Sequence, residues 1–232
     1  MKAILTQPRE ILIIWLTPLI CGRLKAGLQP DSNEMYDWRK MSDAERETIF
    51  TQRQIRGGSW RRPPVWSSDQ KRYMITAACF EHSLFIGKNS TRMAAFEQSL
   101  LAELDALSKC IFAHVILLNH YHVLLETEDI AQLRKVLGKF HGRTSYNWNQ
   151  QDASAGRKVF HGSAETGMKS ERHFQATLNY IHHNPVKHGY VDKWQDWPYS
   201  SAAQYLAAVG REEAERHWHE YPVDRFGEGW DQ

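Results

Sequence analysis

The stretch that decides the fold covers residues 114–126 and reads His-Val-Ile-Leu-Leu-Asn-His-Tyr-His-Val-Leu-Leu-Glu. A short apolar run with β-branched residues ahead of a polar break is typical of a buried strand. Side chains alternate between the two faces of a strand, so His120 and His122 point the same way and Tyr121 points into the opposite layer. Two such imidazoles form half of a divalent-metal site, and a pair of hydrogen-bonded core histidines is the alternative interpretation.

The segments around this stretch alternate between strand and helix. A short strand ending near residues 111–115 is expected to pair with it. Further strands are predicted at 72–80 and 158–160, and helices at 91–107, from Asp129 through Phe140, at 170–184 and at 201–208. Pro185 is expected to end the helix at 170–184, because the residue before a proline is pushed out of the helical region. This order predicts an α+β fold, a ferredoxin-like sandwich with an antiparallel sheet, in which two helices cover one face.

Composition indicates an ordinary globular protein. The chain has 232 residues, 42% of them hydrophobic and 24% charged, and its net charge of +2 is too small to imply nucleic acid by itself. Its three cysteines are odd in number and far apart, which argues for a reducing compartment and against a disulfide framework or a cysteine zinc site. The apolar residues 11–21 resemble part of a signal peptide but are too short to span a bilayer, which takes about 20 residues. A misassigned start or an unstructured extension is the alternative, and we expect a cytoplasmic protein without a membrane partner.

The helix predicted at 170–184 carries the second half of the site. Tyr180 and Asn184 are four residues apart and share one helix face. The buried stripe of the same helix lies elsewhere on the wheel and comprises Phe174, Leu178 and Ile181. A packing role for Tyr180 and a helix-terminating role for Asn184 are the alternatives to chemistry.

A phenol and an amide oxygen that face two imidazoles form a specific chemical set. The nitrogens of His120 and His122 and the oxygen of Asn184 suit Mg²⁺ or Mn²⁺. A metal there polarises a phosphodiester, and the oxygen of Tyr180 attacks the phosphorus. The resulting phosphotyrosine stores the energy of the broken bond, so a strand can be rejoined without ATP.

Three stretches of this sequence resemble the REP-associated tyrosine transposases, which belong to the IS200-like, single-tyrosine HUH family. They are His120-Tyr121-His122, the run Tyr-Ile-His-His-Asn-Pro-Val-Lys-His-Gly-Tyr-Val at 180–191, and Trp-Pro-Tyr-Ser-Ser at 197–201. The first motif is weak by itself, whereas the second together with the third is strong. The resemblance covers roughly residues 71–205. The chain departs from the family in having Leu-Leu where Met-Pro is usual before Asn119, and in lacking an aromatic-rich strand at 159–173.

The resemblance implies an HUH endonuclease core and a role for each site residue. Metal ligation falls to His120, His122 and Asn184, with Mg²⁺ or Mn²⁺ as the cofactor. Tyr180 becomes linked to the 5′ phosphate of nicked single-stranded DNA and frees a 3′ hydroxyl. The implied partner is a DNA hairpin with a flanking single strand, bound by a monomer or a homodimer.

Basic residues are the candidates for DNA contacts. They lie in a tryptophan-bearing segment, on the helix after Asp129 and after the second motif, and they are Arg61, Arg62, Arg134, Lys135, Lys139, Arg143 and Lys187. The four on the helix are expected to flank the site and contact phosphates; a solvated helix face and a flexible tether are the alternatives for the two groups.

Four more histidines require separate interpretations. His182 and His183 are candidates for a supporting role, orienting Tyr180 or binding phosphate, and the alternative is that they cap helix carbonyls. His217 and His219 form a second H-x-H pair in a helix-like segment, where residues two apart diverge by about 200°. We expect these two to be solvated surface histidines.

We expect an N-terminal extension at 1–70 with a short helix at 43–55, a transposase domain at 71–208 and a peripheral tail at 209–232. The predicted function is that of a metal-dependent enzyme that nicks and joins single-stranded DNA. One alternative is a DNA- or RNA-hairpin-binding module that has lost catalysis. Another is a replication initiator or relaxase, which the lack of a second suitably placed tyrosine disfavours, because Tyr190 lies beyond Pro185.

Overall fold

The computed structural model describes residues 71–223. The elements in chain order are β1 (Arg72–Cys79), α1 (Ser90–Asp105), β2 (Cys110–Ile116), β3 (His120–Glu126), α2 (Ile130–Gln151), β4 (Phe160–Gly167), α3 (Glu171–Lys187), α4 (Ala202–Val209) and α5 (Arg211–Glu220). The helix expected at 43–55 and the basic segment with Arg61 and Arg62 lie outside the described residues.

The four strands form one sheet in the order β2-β3-β1-β4, and each neighbouring pair is antiparallel. A strand–helix–strand–strand–helix–strand chain gives this order when its first and third strands occupy the centre of the sheet. The prediction of a ferredoxin-like α+β sandwich is confirmed.

One face of the sheet packs on α1 and α2. Tyr121 points into this layer, where its ring lies 5.8 Å from that of Phe96 on α1 and its hydroxyl hydrogen-bonds to Nε2 of His141 on α2 at 3.0 Å. Burial lowers the pKa of His141 to about 4, so the imidazole is neutral at pH 7. The opposite face carries His120 and His122, and we call it the histidine face.

The three long helices begin at side-chain caps. Asn89, Asp129 and Ser170 precede α1, α2 and α3, and each accepts a hydrogen bond from the backbone N–H three residues later, at 2.8, 2.8 and 3.1 Å. Such caps satisfy donors that the first helical turn leaves without a partner. Two of these caps, Asp129 and Ser170, stand where the sequence predicted that their helices begin.

Residues 114–126 form the turn and parts of both arms of a hairpin. The expected pairing of the histidine-bearing strand with a short strand near 111–115 is confirmed, whereas the expectation of one strand across 114–126 is wrong. The chain reverses after Ile116, and N–H of Leu117 donates to the carbonyl of His120 at 2.8 Å. Gly87 packs against the turn, since a Cβ there would lie only 2.5 Å from a side-chain carbon of Leu118. Periodicity could not reveal this reversal, because both arms are apolar and the turn keeps two buried or half-buried leucines.

The helix α3 does not end at Asn184 as expected, because it continues through Pro185 to Lys187. The N–H of Gly189 donates to the carbonyl of Val186 and the N–H of Tyr190 to that of Pro185, both at 2.9 Å. This pair of bonds, with Gly189 at φ +69°, is a Schellman ending. The extra turn brings further side chains towards the site.

The Trp-Pro-Tyr-Ser-Ser motif covers the free edge of β2. N–H of Ile116 donates to the carbonyl of Tyr199 at 2.8 Å, and N–H of Ser201 donates to that of His114 at 3.1 Å. The indole of Trp197 donates to the carbonyl of Ile116 at 2.8 Å. Edge strands otherwise present unpaired backbone groups, so this motif closes the sheet on one side.

The segment after Gly210 packs on α3, which corrects the expectation of two solvated histidines. His217 is buried, and its ring nitrogens lie 2.9 Å from Oδ1 of Asn179 and 2.6 Å from Oε1 of Gln175. His219 points away and is exposed, as the helical divergence of neighbouring side chains predicts.

A buried ion cluster joins the end of α2 to the start of α1. Asp152 pairs with Lys88, Arg92 and Arg157, and the side chains of Asp152 and Arg92 are only 5% and 7% exposed. Hydrogen bonds from these cations, that from Arg92 above all, hold the pKa of the Asp152 carboxyl well below its usual range.

Replacing Asp152 with alanine is expected to lower the free energy of unfolding by about 3–5 kcal/mol, because Arg92 would stay buried without its counter-ion. Urea denaturation at pH 7 measures this loss. The matched control is Asp105→Ala on the exposed side of α1, which should change stability by less than about 0.5 kcal/mol. The depressed pKa of Asp152 makes its contribution complete above about pH 4 and smaller as the pH falls further, so parent and variant should converge in acid. A loss equal to that of the control would show that the cluster does not stabilise the fold.

Candidate active site

His120 and His122 project from the start of β3 with their ring centroids 5.1 Å apart. Nδ1 of His120 lies 2.7 Å from Oδ1 of Asn119, whose Nδ2 donates to the carbonyl of His82 at 3.0 Å. Since that second bond fixes the amide, Oδ1 must accept a proton from Nδ1 of His120, which leaves the Nε2 lone pair facing the site. Nδ1 of His122 is hydrogen-bonded to Oγ1 of Thr76 at 2.8 Å. Outer-shell bonds of this kind orient imidazoles for metal ligation.

The helix α3 lays Tyr180 against the histidine pair and carries Asn184 on the same face. The ring centroids of Tyr180 and His122 are 5.4 Å apart, and Tyr180 is 2% exposed. Asn184 is fully buried one turn later, and neither atom of its side-chain amide has a hydrogen-bond partner among the described residues. A buried amide without a partner is costly unless a ligand completes it. The structure thus brings Tyr180 beside the histidine pair, and helical spacing puts the buried Asn184 one turn further along the same face of α3.

Three contacts fix α3 in this position. Phe174 meets Phe112 of β2 edge-on at 4.9 Å, and the guanidinium of Arg72 lies 4.6 Å from the centroid of the Phe174 ring. Nε2 of His182 is hydrogen-bonded to Oγ of Ser201 at 3.0 Å, which ties the helix to the segment that pairs with β2.

The structure therefore gives His182 a fixed packing position. It is 3% exposed, and burial lowers its pKa to about 3, with the nearby His114 and His217 adding to the effect. A neutral imidazole bonded to a serine suits anchoring of the helix. His183 lies on the neighbouring face, where its ring centroid is 4.4 Å from that of Trp218.

Two residues beyond Pro185 complete the surroundings of the site. The ammonium of Lys187 lies 5.1 Å from the centroid of the Tyr180 ring, so the structure places this candidate DNA contact at the site. His188 was not singled out from the sequence, yet its ring centroid is 5.0 Å from that of His120. Its position depends on the extra turn of α3, which the proline rule argued against.

The basic residues of α2 lie on the other side of the sheet from the histidine face, so the expectation that they flank the site is wrong. The guanidinium of Arg134 forms a two-point ion pair with Glu165 of β4, at 3.0 and 2.9 Å. Arg143 pairs with Glu103 of α1. The other two members of the group, Lys135 and Lys139, are exposed. Contact of these four with DNA stays a prediction, now for a surface remote from Tyr180.

Residues 71–223 contain neither a cluster of the usual charged or sulfur metal ligands nor a membrane-spanning helix. No three side chains drawn from His, Cys, Asp and Glu are grouped there in a way that could hold a metal ion. In the same part of the chain, no helix has both the length and the apolar surface that crossing a membrane requires.

No family model matches the chain. Over 34 residues it is 50% identical to a Haemophilus influenzae protein provisionally named REP-associated tyrosine transposase; the match covers 15% of this chain and 19% of that protein. The resemblance to the REP-associated tyrosine transposases is confirmed. A solved structure of a REP-associated tyrosine transposase bound to a REP hairpin aligns with 74% of this chain and 92% of its own, at 18% identity and a TM-score of 0.49. The strand order β2-β3-β1-β4 establishes the fold without this likeness.

The matched stretch spans about a fifth of the curated REP-associated tyrosine transposase. The activity and the substrate of such transposases are therefore proposed for this chain and not shown for it. The cytoplasmic location and the choice between monomer and homodimer stay predictions.

Proposed function

We propose that this chain is a metal-dependent, single-stranded DNA endonuclease and strand transferase of the REP-associated transposase type. The observation that supports it best is the convergence of a phenol, two imidazoles and a buried amide that lacks a partner among the described residues. Two elements supply these groups, β3 the imidazole of His122 and α3 the side chains of Tyr180 and Asn184. Since His122 and Tyr180 are 58 positions apart in the chain, local sequence does not explain why they meet.

Mg²⁺ or Mn²⁺ is the cofactor we propose, held by Nε2 of His120 and of His122 and by the side-chain oxygen of Asn184. Two nitrogens and one amide oxygen with open positions suit Mn²⁺ well and Mg²⁺ acceptably. The Asn184 amide gains in such a site the partner that it lacks among the described residues. When bound, the cation would polarise the scissile phosphodiester and offset its charge.

Tyr180 is the nucleophile in this proposal. Its oxygen attacks the phosphorus, the bond between phosphorus and the 3′ oxygen breaks, and a 5′-phosphotyrosine and a free 3′ hydroxyl result. The phenolic proton leaves to solvent, and the departing 3′ oxygen takes one up. Attack of another 3′ hydroxyl on the phosphotyrosine reverses these bond changes and joins the strands. Lys187, close to the Tyr180 ring, is placed to contact the phosphate.

A DNA strand has a route to this site across the uncovered half of the histidine face. The helix α3 packs on β2 and β3. On β4, Gly162 and Ala164 are exposed, and they pair with Ala78 and Thr76 of β1. Tyr180 itself is 2% exposed, so the chain around it must open before a phosphate can reach its oxygen. We propose a DNA hairpin with a flanking single strand as the substrate.

Orientation of His120 by Asn119 gives a prediction with a matched control. Asn119→Ala removes the acceptor that fixes the His120 ring and should weaken Mn²⁺ binding about 10- to 100-fold. Asn119→Asp keeps the acceptor but loses the Nδ2–H that ties it to the carbonyl of His82, so it should recover part of the Mn²⁺ affinity that Asn119→Ala loses. Calorimetric titration with Mn²⁺ measures both variants, and equal losses in the two would argue against this role for Asn119.

The proposed function is tested by incubating the full chain with hairpin oligonucleotides copied from the repeats that flank its own gene. With Mn²⁺ we expect a nicked strand with a 3′ hydroxyl and a protein-linked 5′ product, and EDTA should prevent both. Hairpin binding without any cleavage would instead indicate the catalytically inactive DNA- or RNA-hairpin-binding module.

A further inference from the structure

A cavity of about 150 Å³ lies beside α3, bordered by the turn at Trp194–Asp196 and by α4 and α5. Most of its lining is aromatic and comprises His182, His183, Trp194, Tyr205 and Trp218. Close packing leaves few voids in protein interiors larger than a water molecule, which occupies about 30 Å³ in the liquid. This cavity is several times that size and partly open to solvent, so it can admit a small flat ligand.

The rings form two walls that their own contacts hold in place. On one side the ring centroids of His183 and Trp218 are 4.4 Å apart. On the other side His182 lies 5.0 Å from Tyr205 and 6.0 Å from Trp194, nearly parallel to the latter. Trp194 and Tyr205 are themselves 6.4 Å apart. Rings of this kind are surfaces on which a flat heteroaromatic ring stacks, as bases do on aromatic side chains.

The carboxylate in the lining, which also includes His219 and Asn179, favours a hydrogen-bond donor over an anion. Glu215 of α5 contributes a carboxylate to the cavity, and it pairs only loosely with Arg211 at 3.7 Å, with both side chains well exposed. A carboxylate accepts hydrogen bonds from an amino group and repels phosphate. Cytosine, adenine and guanine each carry such an amino group, and thymine does not.

The cavity and the proposed chemistry share one turn of α3, with the cavity facing α4 and α5 and Tyr180 facing His122. Asn179, His182 and His183, which line the cavity, belong to the same turn of α3 as Tyr180. We propose that the cavity holds one unstacked, amino-bearing nucleobase of the single strand that is processed at Tyr180. This inference rests on the proposed function, because it takes the strand to be the substrate.

The test measures binding alone, in the full chain carrying Tyr180→Phe and in EDTA, so that no cleavage intervenes. Single-stranded oligonucleotides of one sequence are compared by fluorescence anisotropy, with an abasic site or thymine placed at each position in turn. We expect one position where the abasic site weakens binding about tenfold or more, and where thymine also binds more weakly than cytosine.

Three variants assign this position to the cavity. Trp218→Leu should remove the position dependence, and Trp218→Phe, which keeps a ring, should retain much of it. Glu215→Gln should reduce the preference for cytosine over thymine while leaving the abasic effect in place. Glu212→Gln, an exposed carboxylate of the same helix outside the cavity, is the matched control and should change neither. Thermal melting shows whether Trp218→Leu is folded; if it is not, Trp218→Phe and Glu215→Gln decide.

Unchanged position dependence in folded Trp218→Leu, or an unchanged base preference in Glu215→Gln, would overturn the assignment. Failure of the proposed function is distinguishable from this result. If the parent chain forms no adduct while the Tyr180→Phe variant keeps the base preference, the chemistry is rejected and the cavity is supported. Adduct formation by the parent chain without any base preference would support the chemistry and reject the assignment of the cavity.

Discussion

Replacing Tyr180 with phenylalanine is expected to abolish the covalent protein–DNA adduct and to lower strand cleavage at least about 10³-fold. Phenylalanine keeps the ring that packs 5.4 Å from His122 and removes only the attacking oxygen. The melting temperature and the affinity for hairpin DNA should therefore stay close to those of the parent. Denaturing gels with labelled DNA measure the adduct.

Tyr190→Phe is the matched control for this experiment. Tyr190 follows the same helix, stacks on Trp197 with a centroid distance of 5.3 Å and on His188 at 5.8 Å, and is half-buried. Its variant should form the adduct as the parent does. An adduct that persists in Tyr180→Phe and disappears in Tyr190→Phe would move the nucleophile to the second tyrosine.

Replacing His122 with alanine should weaken Mn²⁺ binding at least about 100-fold, and cleavage at limiting Mn²⁺ should fall with it. His122 is fully buried, its Nδ1 is engaged by Thr76, and its ring lies beside both His120 and Tyr180. Calorimetric titration with Mn²⁺ and cleavage assays at graded Mn²⁺ concentrations measure the two effects together.

The control for the histidine is His161→Ala on β4, an exposed imidazole that should leave Mn²⁺ binding unchanged. Melting curves establish that His122→Ala is folded. Mn²⁺ affinity equal to that of the parent in folded His122→Ala, or cleavage that persists in EDTA, would contradict the proposed metal site.

The periods of two and of four residues were enough to predict which site residues share a face, but not the reversal within 114–126 or the position of β4, which runs from Phe160 to Gly167 and not at 158–160. A period of two placed His120 and His122 on one side of β3, and a four-residue spacing placed Tyr180 and Asn184 on one side of α3. These predictions depend only on local geometry, which tertiary contacts here leave unchanged. The order of elements then specified the fold, because few topologies accommodate it.

Residues whose positions depend on distant partners were not predictable in the same way. Arg134 is paired with Glu165, which lies 31 residues away, and His217 is bonded to Asn179, 38 residues away. A pattern tells which face of a helix is polar but not which polar group of another element meets it. The proline rule failed for a local reason, because it describes the residue before the proline and not the bonds that the N–H groups of Gly189 and Tyr190 make back to Val186 and Pro185.

The residues that orient the two imidazoles could not be predicted from the sequence either. Asn119 orients His120 only because the carbonyl of His82 fixes the Asn119 amide, and Thr76 meets His122 because β1 pairs with β3 in one register. The register follows from the whole sheet, so no motif within β3 indicates these partners. His188 lies near His120 for a similar reason, through the ending of α3.

Mass spectrometry of the trapped adduct tests the central claim most directly. The full chain is incubated with hairpin DNA and Mn²⁺, denatured, and digested with nuclease and protease. We expect a nucleotide linked through its 5′ phosphate to residue 180, in a yield that EDTA abolishes. A nucleotide on any other residue, or complete strand cleavage that leaves residue 180 unmodified throughout a time course, would contradict the account.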